Sequence, residues 1–133
     1  MNVFVDTSVW IDLFADRDTL QIRALREITA RADRLLVGDL VLTEVLQGTR
    51  DRRDFERKRA RLVLFDRLAV VSEPVAIQAA RNYQTLRALG ITIRKTIDTL
   101  IATRCIIDDI PLLYSDRDFD PFVEHLGLRS AMT

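Results

Sequence analysis

Four short aliphatic runs alternate along this chain with longer segments that have the 3.6-residue periodicity of helices. The strand candidates are VFV at 3–5, LLV at 35–37, LAVV at 68–71 and PLLYS at 111–115. The helical candidates span 8–15, 19–33, 39–47, 51–66, 74–89, 96–108 and 120–126. Strands that are joined through helices pair in parallel, because a parallel connection has to cross over the sheet. The pattern therefore predicts the α/β class, as an α/β/α sandwich with a small central parallel sheet.

The length and the charge balance of the chain predict how many domains it forms and whether its net charge attracts nucleic acid. Its 133 residues are 48% apolar, so we expect a single domain over 1–133 with a buried core. Lys and Arg number 20, and Asp and Glu also number 20. The net charge therefore offers no general attraction for nucleic acid, and any such binding has to use local patches.

The composition also predicts the compartment and excludes two kinds of chemistry. The longest stretch without a charged residue, PVAIQAA at 74–80, is far shorter than the ~18 residues of a membrane span. A secretory signal is not evident, and the single Cys105 cannot form a disulfide within the chain, so we expect a cytoplasmic protein that does not enter membranes. With one Cys and one His, a Cys/His metal knuckle and a two-histidine acid/base mechanism are excluded.

Two acids follow predicted strands directly. Asp6 comes after VFV, and Asp116 comes after PLLYS. In an open parallel sheet the carboxyl ends of the strands border one crevice, so both side chains are expected there. Each acid alone has a simpler interpretation as a turn residue or a helix cap.

Two further acids lie on apolar helical faces. Positions three, four and seven residues after Asp98 are all apolar, which places this acid at the head of a core-facing stripe. Glu44 lies beside Val41 and Val45 in DLVLTEVLQG. A buried carboxylate is costly unless it is paired or binds a cation. The alternatives are that the helix dipole stabilises Asp98 and that Glu44 is solvated or paired with an Arg.

Carboxylates that converge in one pocket repel one another unless a positive charge lies between them. Oxygen ligands without Cys or His indicate a hard ion, Mg²⁺ or Mn²⁺, which can activate water and hold a phosphodiester. Ser8 is expected to orient Asp6 or to cap the first helix, and Asp118 to be an auxiliary ligand or a loop acid. Asp120 and Asp39 are expected to be helix caps, and Asp12 to face water.

Four motifs, in this order across the whole chain, resemble the PIN-domain ribonucleases and, more narrowly, the VapC toxins of bacterial toxin–antitoxin pairs. They are FVDTSVWI, LTEVLQG, TIDTLIA and LLYSDRDFD. The resemblance implies a small parallel sheet flanked by helices and Mg²⁺- or Mn²⁺-dependent endonucleolytic cleavage of RNA. It places the acidic quartet of the family at Asp6, Glu44, Asp98 and Asp116, with Ser8 as the hydroxyl near the first acid. It also implies a homodimer and a cognate antitoxin that blocks the site with a peptide segment.

A basic segment is the candidate surface for RNA. RDRRDFERKRAR at 50–61 holds seven basic residues and three acids. Arg50 and Arg53 are its candidate phosphate contacts, and Arg94 and Lys95, just ahead of Asp98, are two more. The alternative is a solvated helix with ion pairs such as Asp54–Lys58. The aromatic residues on helical segments are expected in the core: Trp10, Phe14, Phe55 and Phe65.

Two other functions stay open at the level of the sequence. The first is phosphoryl chemistry on Asp6, as in a receiver domain or a phosphatase. Ser8 argues against it, because a dehalogenase-like phosphatase has a second Asp at that position. The second is a non-catalytic RNA- or protein-binding module whose acids form only ion pairs.

Overall fold

The computed structural model describes residues 1–31 and 33–132, and within them the chain forms four strands and seven α-helices. The strands are β1 (Asn2–Val5), β2 (Arg34–Gly38), β3 (Asp66–Leu68) and β4 (Leu112–Leu113). The helices are α1 (Thr7–Phe14), α2 (Leu20–Ala30), α3 (Asp39–Gln47), α4 (Arg52–Leu62), α5 (Glu73–Ala88), α6 (Thr96–Ile107) and α7 (Asp120–Leu126). A short 3-10 helix, Arg117–Phe119, precedes α7. The predicted α/β class is confirmed.

The sheet has the order β3-β2-β1-β4, and every pair of neighbouring strands is parallel. The chain adds β2 and β3 on one side of β1 and then returns to add β4 on its other side. The carboxyl ends of β1 and β4 therefore flank the point where the order reverses, which is where open α/β sheets bind ligands. This topology decides which strand-end acids can meet.

The predicted third strand was placed too far along the chain. Val70 and Val71 lie beyond β3, which runs over Asp66–Leu68 and occupies the end of the predicted helix 51–66. β3 is an edge strand with two exposed charged residues, so hydrophobicity does not reveal it; its parallel pairing with β2 defines it. The predicted helix 19–33 ends at Ala30, and its position 32 lies outside the described residues, as does position 133.

The core is continuous from the sheet into the helices. Its largest fully buried side chains include Trp10, Phe4, Phe119 and Phe122. Trp10 packs against Phe65 with 5.1 Å between ring centroids, so these two aromatic residues lie in or against the core as predicted. None of the helices in the described parts of the chain has the length and apolar character needed to cross a lipid bilayer.

Candidate functional site

The acids at the ends of β1 and β4 lie in the same crevice. Val5 and Leu113 are register partners, and the backbone N–H of Asp6 donates to the Leu113 carbonyl at 2.9 Å. This bond continues the parallel pairing to the residue where the Asp6 side chain begins. Asp116 follows β4 by three residues and caps the 3-10 helix. Asp6 and Asp116 thus follow paired neighbouring strands, and both carboxylates act on Asp98.

Asp6 is the N-cap of α1 and is only 3% exposed. Its Oδ2 accepts hydrogen bonds from the Ser8 backbone N–H at 3.0 Å and from the Ser8 hydroxyl at 2.6 Å. Its Oδ1 is buried and has no hydrogen-bond partner within the described residues. Burial raises the pKa of Asp6 to about 6; repulsion from Glu44 adds to the shift, and the bonds from Ser8 oppose it.

Asp98 lies in the first turn of α6 and is 4% exposed. Its Oδ2 is buried and also lacks a hydrogen-bond partner in the part of the chain that the structure describes. Burial is the main cause that raises the pKa of Asp98 to about 7, followed by repulsion from Asp6 and Asp116 and, more weakly, from Glu44. Lys95 opposes this shift. The repulsion shows that the other three acids of the predicted quartet act on the Asp98 carboxylate.

The stripe behind Asp98 is as apolar as the sequence predicted. Ile101 and Ala102 are 0% exposed, and Cys105 is 1% exposed. The acid is therefore attached to a helix whose same face is anchored in the core, which fixes the position from which its side chain starts.

Glu44 joins the site from α3 through a contact with α1. The Thr7 hydroxyl donates to Glu44 Oε1 at 2.8 Å, and Thr7 is itself buried. The N-cap of α1 is Asp6, so the Thr7 hydroxyl is available for this contact. The threonine thus connects the first and second acidic motifs.

Asp98, Asp116 and Asp118 bring three carboxylate oxygens within 4.8 Å of one another. The Asp118 backbone N–H donates to Asp116 Oδ1 at 2.9 Å, which fixes the turn that carries both acids. Divalent ions bind carboxylate oxygens at about 2.0–2.6 Å, so oxygens at this separation can share one ion. Asp118, predicted as an auxiliary ligand or a loop acid, lies in this group.

The donor set fits a hard divalent cation. Two buried carboxylate oxygens, on Asp6 and Asp98, lack partners among the described residues. Repulsion from neighbouring acids also adds to the raised pKa of each of these two carboxyl groups. A cation would satisfy the free oxygens and offset the repulsion at once. All the donors are oxygens, which suits Mg²⁺ or Mn²⁺ better than Zn²⁺.

A hydrogen-bond chain that the sequence did not reveal supports the Asp6 carboxylate. The Ser8 hydroxyl accepts from the Ser115 backbone N–H at 3.0 Å, and the Ser115 hydroxyl donates to Asp12 Oδ2 at 3.0 Å. Arg17 pairs with Asp12 at 2.9 Å. The prediction that Asp12 faces water was wrong, since it is 9% exposed. Its position four residues after Ser8 in α1, on the same helical face, was the available signal.

The two predicted helix caps were also wrong. Asp120 is the first residue of α7, and its carboxylate accepts from the Tyr114 hydroxyl at 2.7 Å. The N-cap of α3 is Gly38, because β2 runs directly into this helix. Asp39 Oδ1 accepts the backbone N–H of Leu40 at 2.9 Å and that of Val70 at 3.0 Å.

The candidate RNA contacts fall in two places. Arg94 pairs with Asp118 at 3.2 Å and Lys95 acts on the Asp98 carboxylate, so both lie at the site acids. We call these acids the acidic cluster: Asp6, Glu44, Asp98, Asp116 and Asp118. Arg50 and Arg53 line a separate cavity at the start of α4. The predicted Asp54–Lys58 ion pair is present at 3.2 Å.

Three solved structures share this fold at low sequence identity. VapBC2 from Rickettsia felis, bound to a DNA fragment from its promoter, is 16% identical with a TM-score of 0.75 over 98% of this chain and 97% of that one. A toxin–antitoxin complex from Klebsiella pneumoniae is 19% identical with a TM-score of 0.69 over 97% of each chain. VapBC-1 from nontypeable Haemophilus influenzae is 18% identical with a TM-score of 0.72 over 100% of both chains.

The sequence match extends over most of the chain and includes every acid of the cluster. The family model described as PIN domain matches residues 3–123. That range begins in β1 and ends in α7, so it covers the parallel sheet except for Asn2. The predicted resemblance is thus confirmed at the level of the family, and this chain belongs to the PIN domain family.

Proposed function

We propose that this protein is a divalent-metal-dependent endoribonuclease. One observation carries the proposal: Asp6, Glu44, Asp98 and Asp116 converge, and two of them present buried carboxylate oxygens without a partner in the described residues. Such an arrangement is unfavourable in a protein that never binds a cation there. Membership of the PIN domain family supports the assignment.

Each residue of the site has a separate proposed role in metal binding or in positioning a metal ligand. Asp98, Asp116 and Asp118, whose oxygens lie within 4.8 Å of one another, would hold Mg²⁺ or Mn²⁺. Asp6, through its Oδ1, and Glu44, held by Thr7, would complete the acidic site around the ion. When bound, the ion supplies charge for the phosphate and lowers the pKa of water for attack on phosphorus. Ser8 keeps one oxygen of Asp6 occupied and so directs the other into the site. Hydrolysis of this kind leaves a 5′-phosphate and a 3′-hydroxyl.

We further propose that the protein is the toxin of a type II toxin–antitoxin pair and acts on RNA in the cytoplasm. The support is that the similar solved structures are VapBC proteins and a toxin–antitoxin complex, matched over nearly their full length. A cognate antitoxin is then the expected partner. A homodimer stays a prediction from the family resemblance.

Cleavage of RNA by the purified protein tests the enzymatic proposal. Wild type, Asp98→Asn and Asp18→Asn are compared with Mg²⁺, with Mn²⁺ and with chelator, and the ends of the products are mapped. Asp18 is an exposed acid outside the site, so its variant controls for the loss of one charge. We expect cleavage only by wild type and Asp18→Asn, and only with an ion. Undiminished cleavage by Asp98→Asn, or in chelator, would rule the mechanism out.

Binding of Mn²⁺ separates this enzyme from a non-catalytic module of the same fold. Calorimetry on wild type should show binding that is lost or strongly weakened in Glu44→Gln. A scaffold whose acids form only ion pairs would bind no ion in either form. Labelling of Asp6 by acetyl phosphate would instead favour phosphoryl chemistry on that residue.

A further inference from the structure

Two cavities that share lining residues open at the start of α4, and Glu44 lies in the lining of one of them. One has a volume of about 370 Å³, and its lining includes Glu44, Arg50, Arg57 and Lys58. The other has a volume of about 390 Å³, and its lining includes Arg50, Arg53 and Arg57. Because Arg50 and Arg57 line both, the two cavities form one groove that begins at an acid of the proposed catalytic site.

A single buried carboxylate organises the basic side chains of this groove. The Asp54 side chain is 2% exposed and pairs with Arg57 at 3.0 Å and with Lys58 at 3.2 Å. The Asp54 carboxylate also accepts a hydrogen bond from the Arg50 backbone N–H at 3.1 Å. This bond is the main reason why the pKa of Asp54 is lowered to about 2. Arg50 Nε lies 3.6 Å from the same carboxylate. The cations are therefore held near one another by an acid that stays ionised.

The positive charge of the groove exceeds what its own acids neutralise. Asp51 and Asp54 are the α4-side acids that line it, and Asp51 is occupied as the N-cap of α4. The side chains of Arg50 and Arg57 are 79% and 63% exposed, so their guanidinium groups retain donors that face solvent. Planar guanidinium groups of this kind suit the oxygens of a phosphate.

The groove favours phosphate contacts over stacking with a base. Phe14 is the aromatic residue among its lining residues. Lys58 Nζ lies 5.6 Å and Arg61 Cζ lies 5.0 Å from the centroid of its ring. These cations cover the ring and leave little of it for a base to stack on. The guanidinium groups of Arg50 and Arg57, in contrast, are exposed to solvent.

We propose that Arg50, Arg53 and Arg57, the arginine cluster, form a subsite that binds a phosphodiester of the RNA strand on the Glu44 side of the scissile bond. The proposal rests on the proposed ribonuclease function and adds the path of the substrate. Glu44 belongs both to the acidic cluster and to the lining of the groove. An RNA strand whose scissile phosphate lies at the acidic cluster can therefore enter the groove past Glu44. Asp54 is a positioning residue that holds the cluster in place.

Binding of single-stranded RNA tests the subsite without requiring catalysis. A fluorescent oligonucleotide of about 12 nucleotides is titrated in EDTA, in the Asp98→Asn background, at several NaCl concentrations. Arg50→Gln combined with Arg57→Gln is compared with Arg52→Gln combined with Arg59→Gln. Both double variants lose two positive charges. Arg52 and Arg59 belong to the same helix but lie outside the lining of both cavities, so they control for the loss of charge alone.

We expect the Arg50/Arg57 pair of changes to weaken binding about tenfold and to reduce the salt slope by roughly 0.7 to 1.4, as for one or two phosphate contacts to a single strand. The control pair should change affinity less than twofold. Equal losses in both pairs, or no loss in either, would overturn the subsite. If the Arg50/Arg57 protein fails to fold, Arg53→Gln replaces it: Arg53 is exposed, with no ion pair among the described residues, and about a threefold loss is expected.

Three further outcomes distinguish the RNA subsite from the nuclease proposal and from a protein-binding groove. If wild type cleaves no RNA with any ion but the arginine cluster still controls RNA binding, the nuclease proposal fails and the binding surface stands. If cleavage is confirmed and the cluster has no effect, only the subsite fails. An acidic peptide of equal charge that binds this groove more tightly than the RNA would assign it to a protein partner and overturn the RNA subsite.

Discussion

The hydroxyl of Ser8 donates a 2.6 Å hydrogen bond to Oδ2 of Asp6, and the backbone N–H of Ser8 donates to the same oxygen at 3.0 Å. Both bonds favour the ionised carboxylate and oppose the burial that raises its pKa. They also distinguish its two oxygens, since Oδ1 has no partner within the described residues. Ser8 therefore affects both the charge and the orientation of Asp6.

Ser8→Ala is expected to weaken Mn²⁺ binding about two- to tenfold at pH 7. The hydroxyl favours the ionised form of Asp6, so its loss should raise the pKa of Asp6 further and strengthen the competition of protons with the ion. Calorimetry measures the change. Ser72→Ala is the matched control: Ser72 caps α5, so its loss should cost about 1 kcal/mol of stability without changing ion affinity. Similar ion affinities in the two variants would contradict the role assigned to Ser8.

The affinity for Mn²⁺ should rise with pH, because bound protons compete with the ion. Asp98 has a pKa of about 7 and Asp6 of about 6, so both carry protons for much of the time at pH 6 and are almost fully ionised at pH 8. If both have to ionise, the affinity increases roughly 20-fold over this range. Calorimetry at several pH values measures the slope. Asp98→Asn should flatten most of it, and a flat profile in wild type would contradict the prediction.

Asp98→Asn should stabilise the protein in the absence of ions. The pKa of Asp98 is raised from 3.8 to about 7 on folding, so proton binding favours the folded state. That stabilisation is complete below pH 3.8 and is lost as the pH rises through 7. At pH 8 in EDTA the ionised carboxylate therefore opposes folding, and its removal should increase the free energy of unfolding by about 1–3 kcal/mol.

Urea denaturation at pH 8 and at pH 5 measures this effect, which should be smaller at the lower pH. Asp18→Asn is the matched control, since that exposed acid pairs with Arg23 outside the site and its loss should change stability by less than about 0.5 kcal/mol. A variant at position 98 that is less stable than wild type at pH 8 would show that the carboxylate supports the fold rather than the site.

The positions of three of the four acids could be predicted from the sequence because simple rules fix them. Asp6 and Asp116 follow short aliphatic runs, and parallel pairing of those strands brings their ends together. Asp98 precedes residues whose helical spacing turns them towards the core, and they are buried. In each case a local pattern and one topological rule were sufficient.

The supports of the site could not be predicted in the same way. Ser115 and Asp12 are separated by 103 positions, and their contact depends on how β4 lies beside the start of α1. The edge strand β3 begins with Asp66 and Arg67, and such charged residues do not predict a strand. The segment is a strand because it pairs with β2. These features depend on tertiary contacts, which no local periodicity encodes.

Gly38→Ala should destabilise the protein and distort the site together. Gly38 ends β2 and is the N-cap of α3, the helix that carries Glu44. A Cβ atom at this position would lie 2.6 Å from Phe4 Cζ and 2.9 Å from Val70 Cγ2, and both side chains are 0% exposed. The packed ring has no free space to move into, so we expect a loss of about 1–3 kcal/mol in the free energy of unfolding.

Gly48→Ala provides the comparison for this prediction, because Gly48 lies at the other end of the same helix. The nearest atoms to a Cβ there are the carbonyl oxygens of Val45 and Glu44, at 3.7 and 3.8 Å, so the methyl group fits. Its φ of −88° is also accessible to alanine. Urea denaturation should therefore leave Gly48→Ala within about 0.5 kcal/mol of wild type or slightly above it. Equal losses in the two variants would mean that α3 tolerates no substitution at its ends, and that the contact with Phe4 does not set its position.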